Sequence, residues 1–185
     1  AAVGGGRSVG GRALALPMVD VHTIGAGGGS IAWRDAGGAL RVGPRSAGAD
    51  PGPACYGRGG SEPTVTDADL LLGWLDAGSP LAGGVQLDAD AAAEAVGGLA
   101  GELGLSVDEA AAGIARVATA EMAQAVRVVT VERGIDPRDL ALVAFGGAGP
   151  LHAAQIAAEL GMRRVVAPLA SGVLSALGLI VSERR

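Results

Sequence analysis

Two glycine-rich blocks hold the residues of this chain best suited to gripping a ligand: Gly25, Gly27, Gly28 and Gly29 ahead of Ser30, and Gly146, Gly147 and Gly149 ahead of Pro150. Glycine lets backbone approach a bound group closely and adopt positive φ, at an entropic cost that an ordinary connecting loop has little reason to carry. Successive amides over 27–29, joined by the Ser30 hydroxyl, could cradle an oxyanion; the same run could equally make a flexible turn. The second block follows an apolar run and precedes a helix start, where free N–H groups and the helix dipole favour an anion or a nucleotide. Its competing reading is a tight turn that needs glycine for packing. Neither spacing is the dinucleotide fingerprint or the phosphate loop, and the chain contains no Lys to complete the latter.

Among reactive side chains, Asp20 and His22 stand two positions apart on what reads as one strand face. They could be a metal pair, an acid/base pair, or a structural His held by a carboxylate; with no third ligand nearby, the last reading needs the fewest assumptions. Asp50, Asp67 and Asp69 flank glycine-rich turns and could hold Mg²⁺ through water, Asp50 and Asp67 being the two candidate ligands, although as turn and cap residues they need no ion. Cys55, beside Tyr56, is either a nucleophile or a buried inert thiol, and nothing adjacent in sequence would activate it. His152 either faces the ligand edge of its helix or covers the helix start.

These residues must be positioned by an α/β fold. Residues 12–24 predict short strands around Pro17, and 40–60 an extended loop of about twenty residues whose length is itself a functional sign. Thr66 or Asp67 is expected to cap a helix running through Leu70. A second helix is expected over 88–103, with Gly104 ending it. The Ser106-Val107-Asp108-Glu109 capping box opens a long amphipathic helix that Gly134 stops. Residues 140–145 predict a buried strand, 150–161 a helix and 164–167 a second strand, together a βαβ unit with the second glycine block as its turn. The chain divides into a flexible start over 1–11, strands and the glycine- and proline-rich loop over 12–75, a helical segment over 80–135 and the βαβ unit over 139–181.

Composition narrows the function. A formal charge of −5 and fourteen basic residues, all Arg and scattered, argue against a nucleic-acid surface. No apolar run is long enough to span a bilayer, and a single cysteine excludes an internal disulfide, so a cytoplasmic protein is the default expectation. Only two Trp, one Tyr and one Phe are present, so the core must be built from Ala, Val, Leu and Ile, with closely spaced elements.

Taken in order, residues 17–32, the 43–60 loop, the Pro63-Thr64-Val65-Thr66-Asp67-Ala68-Asp69 run and Phe145-Gly146-Gly147-Ala148-Gly149-Pro150-Leu151-His152-Ala153 resemble the hydantoinase A and 5-oxoprolinase family, which includes acetone carboxylase beta-type subunits. The resemblance covers about residues 10–179. It implies the second half of an actin-like, ribonuclease H-like ATPase, with an inserted helical segment. ATP with Mg²⁺ would phosphorylate the oxygen of a cyclic amide or imide, such as hydantoin or 5-oxoproline, for ring opening. By the same resemblance Gly146, Gly147 and Gly149 form the adenosine-side turn, while Gly27, Gly28, Gly29, Ser30 and residues 46–56 line the cleft.

The family's two Asp-Gly-Gly-Thr phosphate hairpins do not occur here, and family members are several times longer. The chain therefore reads as an interior portion that begins downstream of the second hairpin. Its expected partners are the missing N-terminal half, a B-type subunit and a small-molecule substrate, and alone it is expected to be inactive. Alternatives are a ketone carboxylase subunit, a non-catalytic nucleotide-binding or assembly module from a split gene, and a metal-dependent hydrolase using Asp20, His22 and His152.

Overall fold

The computed structural model describes residues 21–182 in full and, ahead of them, the backbone of residues 3–4, 7–9, 12–14 and 18–19. Strands β1 (Val3–Gly4), β2 (Arg7–Val9), β3 (Arg12–Leu14) and β4 (Met18–Val19) form two short antiparallel pairs, β1 with β4 and β2 with β3. The flexible start expected over 1–11 thus already holds strands, and its remaining residues lie outside those described.

β5 (Ser30–Arg34) and β6 (Leu40–Ser46) form an antiparallel hairpin. Asp35 closes its turn: Oδ1 accepts the Gly37 and Ala39 amides at 3.0 and 2.9 Å, and Oδ2 accepts Arg41 Nε at 2.8 Å. This corrects the expectation of an irregular loop from residue 40. Pro44 lies where β6 faces solvent and lacks a buried ladder to interrupt, and the Gly43 carbonyl accepts the Trp33 indole N–H at 2.7 Å. Gly43 has φ +66°, and a Cβ there would strike the Gly25 carbonyl, so only glycine fits where the hairpin meets the first glycine block.

Three helices pack on the hairpin. α1 (Val65–Leu71) is capped by Thr64, not by Thr66 or Asp67; Asp67 is instead the third residue of a Thr64–Asp67 capping box. α2 (Ala89–Leu103) runs from an Asp88 cap to Gly104 in the left-handed conformation, and α3 (Val107–Thr130) opens on the Ser106–Glu109 box, as the sequence predicts. One core cluster joins Ala32 and Val42 of the hairpin, Val65 and Ala68 of α1, Val96, Leu99 and Ala100 of α2, and Ala110, Ala111, Ile114 and Ala118 of α3. Alanine at the contacts lets these backbones approach closely, which is how a chain with so few aromatic residues still closes its interior.

Beyond α3, β7 (Ala141–Val143) pairs in parallel with β8 (Arg164–Val166), and α4 (Gly149–Leu160) makes the crossover between them. α5 (Leu174–Val181) follows, without a sequence-based expectation of its own. A second cluster of Ala123, Ile156, Ala157, Leu160 and Met162 seats α4 on the far half of α3. The βαβ unit is as expected, but β7 and β8 are not buried: Val143 is 51% exposed, Phe145 50% and Val166 47%. Parallel strands normally have both faces covered, and among the described residues only the α4 face is. Leu179 and Ile180 of α5 are exposed as well.

An apolar face of this extent drives association. The purified chain is expected to self-associate as concentration rises in sedimentation velocity, and Ile180→Glu should shift it toward monomer without changing its circular dichroism. A wild-type chain that stays monomeric at high concentration would contradict this.

Candidate functional site

The site is assembled around Asp67, which is fully buried. Its Oδ2 accepts the Thr64 amide at 2.8 Å, the Thr64 hydroxyl at 2.8 Å and the Ala54 amide at 3.3 Å, while Oδ1 accepts the Cys55 amide at 2.8 Å. Hydrogen bonds to an ionised carboxylate are about twice as strong as neutral ones, so one side chain ties the Ala54–Tyr56 turn to the start of α1. These donors fill the carboxylate, which corrects its candidacy as a Mg²⁺ ligand. Asp50 is exposed on the rim of a separate cavity of about 520 Å³ lined also by Ser46, Gly52 and Glu62. Among the described residues no group of three or more His, Cys, Asp or Glu side chains is placed to hold a metal ion.

Cys55, beneath this bracket, is wholly buried. Burial first, and the neighbouring Asp67 carboxylate second, push its thiol far above the ordinary range, so it is the inert thiol and not a nucleophile.

The first glycine block folds back on itself. Ser30 Oγ accepts the Gly27 amide and donates to the Gly25 carbonyl, each at 2.9 Å. Ser30 and Gly27 therefore close the turn, a correction to the expectation that they would offer a hydroxyl and an amide to a ligand. Gly28 and Gly29 stand at the apex. The Gly28 carbonyl accepts the Thr66 amide at 2.8 Å and the Gly29 carbonyl accepts the Ala47 amide at 2.8 Å, which pins the apex between α1 and the loop after β6.

The two glycine blocks meet. A Cβ on Gly28 would lie 2.7 Å from Thr66 Oγ1 and 3.4 Å from the Ala148 Cβ. Between them opens a cavity of about 270 Å³ lined by Gly28, Gly29, Tyr56, Thr66, Asp69, Leu75, Leu81, Gly147, Ala148 and Leu151. Gly146, at φ +86°, donates its amide to the Ser171 carbonyl at 2.8 Å, which aims Gly147 and Ala148 at the cavity. α4 begins at Gly149, and Ala148 ahead of it supplies no side-chain cap, so the helix presents its N-terminal dipole uncapped.

Beneath the cavity lies a buried polar chain that sequence reading only partly anticipates. His152 has no solvent exposure; its Nδ1 is 3.0 Å from Thr119 Oγ1 and its Nε2 3.4 Å from Asp69 Oδ2. Trp74 meets the imidazole edge-on, with ring centroids 5.4 Å apart. His152 thus covers the helix start from below instead of reaching the ligand edge. Thr119 went unassigned in the sequence; its signal was a hydroxyl on the apolar side of α3. His22 is exposed in an irregular stretch, so the strand expected to carry it ends earlier, at Val19. Asp20 lies outside the described residues.

Replacing Asp67 by Ala leaves buried amide donors unpaired and should cost about 3 kcal/mol, well above the ~1 kcal/mol of an ordinary cap. Urea unfolding with an unchanged m-value checks this. The same variant should make Cys55 react with a thiol reagent under conditions where the wild-type thiol reacts only on unfolding. A loss of ~1 kcal/mol with Cys55 still protected would reduce Asp67 to a cap.

Known proteins share this fold. The model of the hydantoinase/oxoprolinase family matches residues 5–185. The crystal structure of the ATP-dependent caprolactamase from Pseudomonas jessenii superposes with a TM-score of 0.83 at 49% identity, over 92% of this chain and 25% of that one. Nucleotide-free acetone carboxylase superposes with a TM-score of 0.82 at 32% identity, over 92% of this chain and 24% of that one. 5-Oxoprolinase 1 of Arabidopsis thaliana is 40% identical over 192 residues, 95% of this chain and 15% of the relative. The chain spans a quarter or less of the length of these relatives. With a family match running through nearly every described residue, the chain belongs to the hydantoinase/oxoprolinase family.

Proposed function

We propose that this chain is a segment of an ATP-dependent enzyme that opens a cyclic amide or imide, and that it supplies one wall of the nucleotide cleft in the second half of an actin-like ATPase fold. The observation that carries the reading is the meeting of the two glycine blocks across one cavity at the N-terminus of α4. Supporting it, the relatives named above include an ATP-dependent caprolactamase and a 5-oxoprolinase.

A cyclic amide resists water because resonance deactivates its carbonyl carbon; ATP, when bound, would supply a phosphoryl group to the amide oxygen, which ends that resonance so that water can add to the carbon and the ring C–N bond can break, the phosphate being released by a later hydrolysis. This segment's residues bind and orient. Gly147 and Ala148 offer close backbone approach, Gly28 and Gly29 form the opposite wall, and Leu75, Leu81 and Leu151 restrict water. Asp67 is filled by its donors, and no group of three or more His, Cys, Asp or Glu side chains among the described residues is placed to hold an ion, so no step here is assigned to Mg²⁺. The metal and the phosphates are assigned to segments outside this one, together with a B-type partner subunit. A ketone carboxylase is the second reading, favoured by the likeness to acetone carboxylase, and is distinguished by whether bicarbonate is incorporated into product.

On this reading the purified chain alone turns over no 5-oxoproline, hydantoin or caprolactam with ATP, whereas a polypeptide extended upstream to include two Asp-Gly-Gly-Thr hairpins, co-expressed with its partner subunit, does. ADP release measured alongside ring opening checks both arms. Steady turnover by the short chain would overturn the division of labour, and an inactive extended protein would overturn the function.

A further inference from the structure

The carboxylate of Asp69 is unexplained by anything above. Its side chain is 1% exposed, and neither oxygen receives a hydrogen bond. The nearest donor, His152 Nε2, stands at 3.4 Å and is itself without a hydrogen bond. A buried carboxylate left in this state is destabilising, so a donor is wanted at this position. Asp69 is also among the residues that line the cavity between the glycine blocks, which makes that cavity the nearest space from which a donor could reach the buried carboxylate.

Across the same cavity, Gly147 and Ala148 lead into the N-terminus of α4, which has no side-chain cap; Pro150 has no N–H and the Leu151 amide donates to the Ala148 carbonyl, so the amides ahead of Pro150 and the helix dipole are what favour an acceptor there. The two demands are opposite, and they bound the occupant. A phosphate would satisfy the helix end but would sit against a buried anion. A bare cation would satisfy Asp69 but meets no second carboxylate among the cavity-lining residues and faces the positive end of the dipole. A group that donates and accepts at once satisfies both.

We propose that this cavity is a subsite for a neutral donor–acceptor group, a sugar hydroxyl or a secondary amide, and that Asp69 is the residue that accepts its hydrogen bond. The phosphates of a nucleotide then lie elsewhere in the cleft. His152 and Thr119 are positioning residues. With the Thr119 hydroxyl as donor to Nδ1, the His152 proton would stand on Nε2, 3.4 Å from Asp69 Oδ2, close enough to orient the carboxylate electrostatically while Oδ1 is left for the ligand. The inference rests on the nucleotide-cleft reading above, and the two sources of such a group, the ribose of ATP and the ring amide of the substrate, are separated by experiment.

The experiment uses the upstream-extended protein with its partner subunit. Calorimetry gives the affinities of ATP, 2′-deoxy-ATP and 3′-deoxy-ATP, and steady-state kinetics the KM for caprolactam or 5-oxoproline, for wild type, Asp69→Asn, Asp69→Leu and His152→Gln. Asp69→Leu removes a buried carboxylate that no hydrogen bond satisfies, and circular dichroism with the unfolding midpoint checks that the variant stays folded. A ribose contact predicts that Asp69→Leu loses about tenfold in ATP affinity and abolishes the preference of wild type for ATP over one deoxy analogue; Asp69→Asn, which keeps an acceptor, falls between. A substrate contact predicts the same loss in the lactam KM with nucleotide affinities untouched. In either case His152→Gln weakens the same ligand, and adding it to Asp69→Leu costs nothing further. If Asp69→Leu alters neither ligand by more than about twofold while remaining folded, the proposal is wrong. Tighter nucleotide binding on loss of the carboxylate would also overturn it, because it would put phosphate in the cavity. A wild-type protein that binds no ATP defeats the nucleotide reading, and the lactam arm then decides the subsite alone.

Discussion

Everything functional in this chain hangs on a carboxylate that binds nothing but protein. Asp67 gathers the amides of Ala54, Cys55 and Thr64 and the Thr64 hydroxyl, and so fixes where α1 starts and how the turn before it lies. Because α1 is short, its origin sets the positions of Thr66 and Asp69 together. Thr66 then holds the glycine apex through its amide, and Asp69 reaches the cavity floor. The hairpin is locked to the same point by Ala32, whose amide donates to the Pro63 carbonyl at 2.8 Å. A single buried anion, satisfied by main-chain donors instead of a counter-ion, does this without demanding a basic partner from a chain that contains no Lys.

α3 carries the second constraint. Its first half belongs to one core cluster and its second half to another, so the hairpin wall and the βαβ wall are two surfaces mounted on one rod. Thr119 sits near the changeover and passes the register of the rod to His152 on α4. Alanine at the crossings brings the helices close and leaves little room for repacking; a larger residue at Ala118 or Ala123 would push the two walls apart.

Much of this was legible in sequence where the signal was local. Capping boxes, terminal glycines and 3.6-residue periodicity placed α2, α3 and α4 almost to the residue, because each depends on neighbours three or four positions away. The Thr64-x-x-Asp67 box was equally readable, yet Asp67 was given to the ion because the sequence does not show that Ala54 and Cys55 fold back onto it. β6 was hidden by Pro44 and Gly43, whose presence in a strand is permitted only by its exposed end and by the close approach of Gly25. The glycine blocks were recognisable as a site, but the roles of Gly27 and Ser30 inverted, since hydrogen bonds within the turn take up the groups that composition offers to a ligand. The chain Thr119–His152–Asp69 joins residues from three helices, and the one local hint of it is a hydroxyl, Thr119, on the apolar side of α3.

The scarcity of aromatic residues has an optical side. The chain has two tryptophans. Trp33 is 38% exposed on the hairpin, tied to Gly43, while Trp74 lies edge-on against His152 at the far side of the buried polar chain. With Trp33 exchanged for Phe, all indole emission comes from one ring in contact with the imidazole that backs Asp69. On the subsite reading, an occupant that engages Asp69 is expected to be felt at Trp74 through His152, and the Trp33→Phe variant would report it as a change of emission with no label attached.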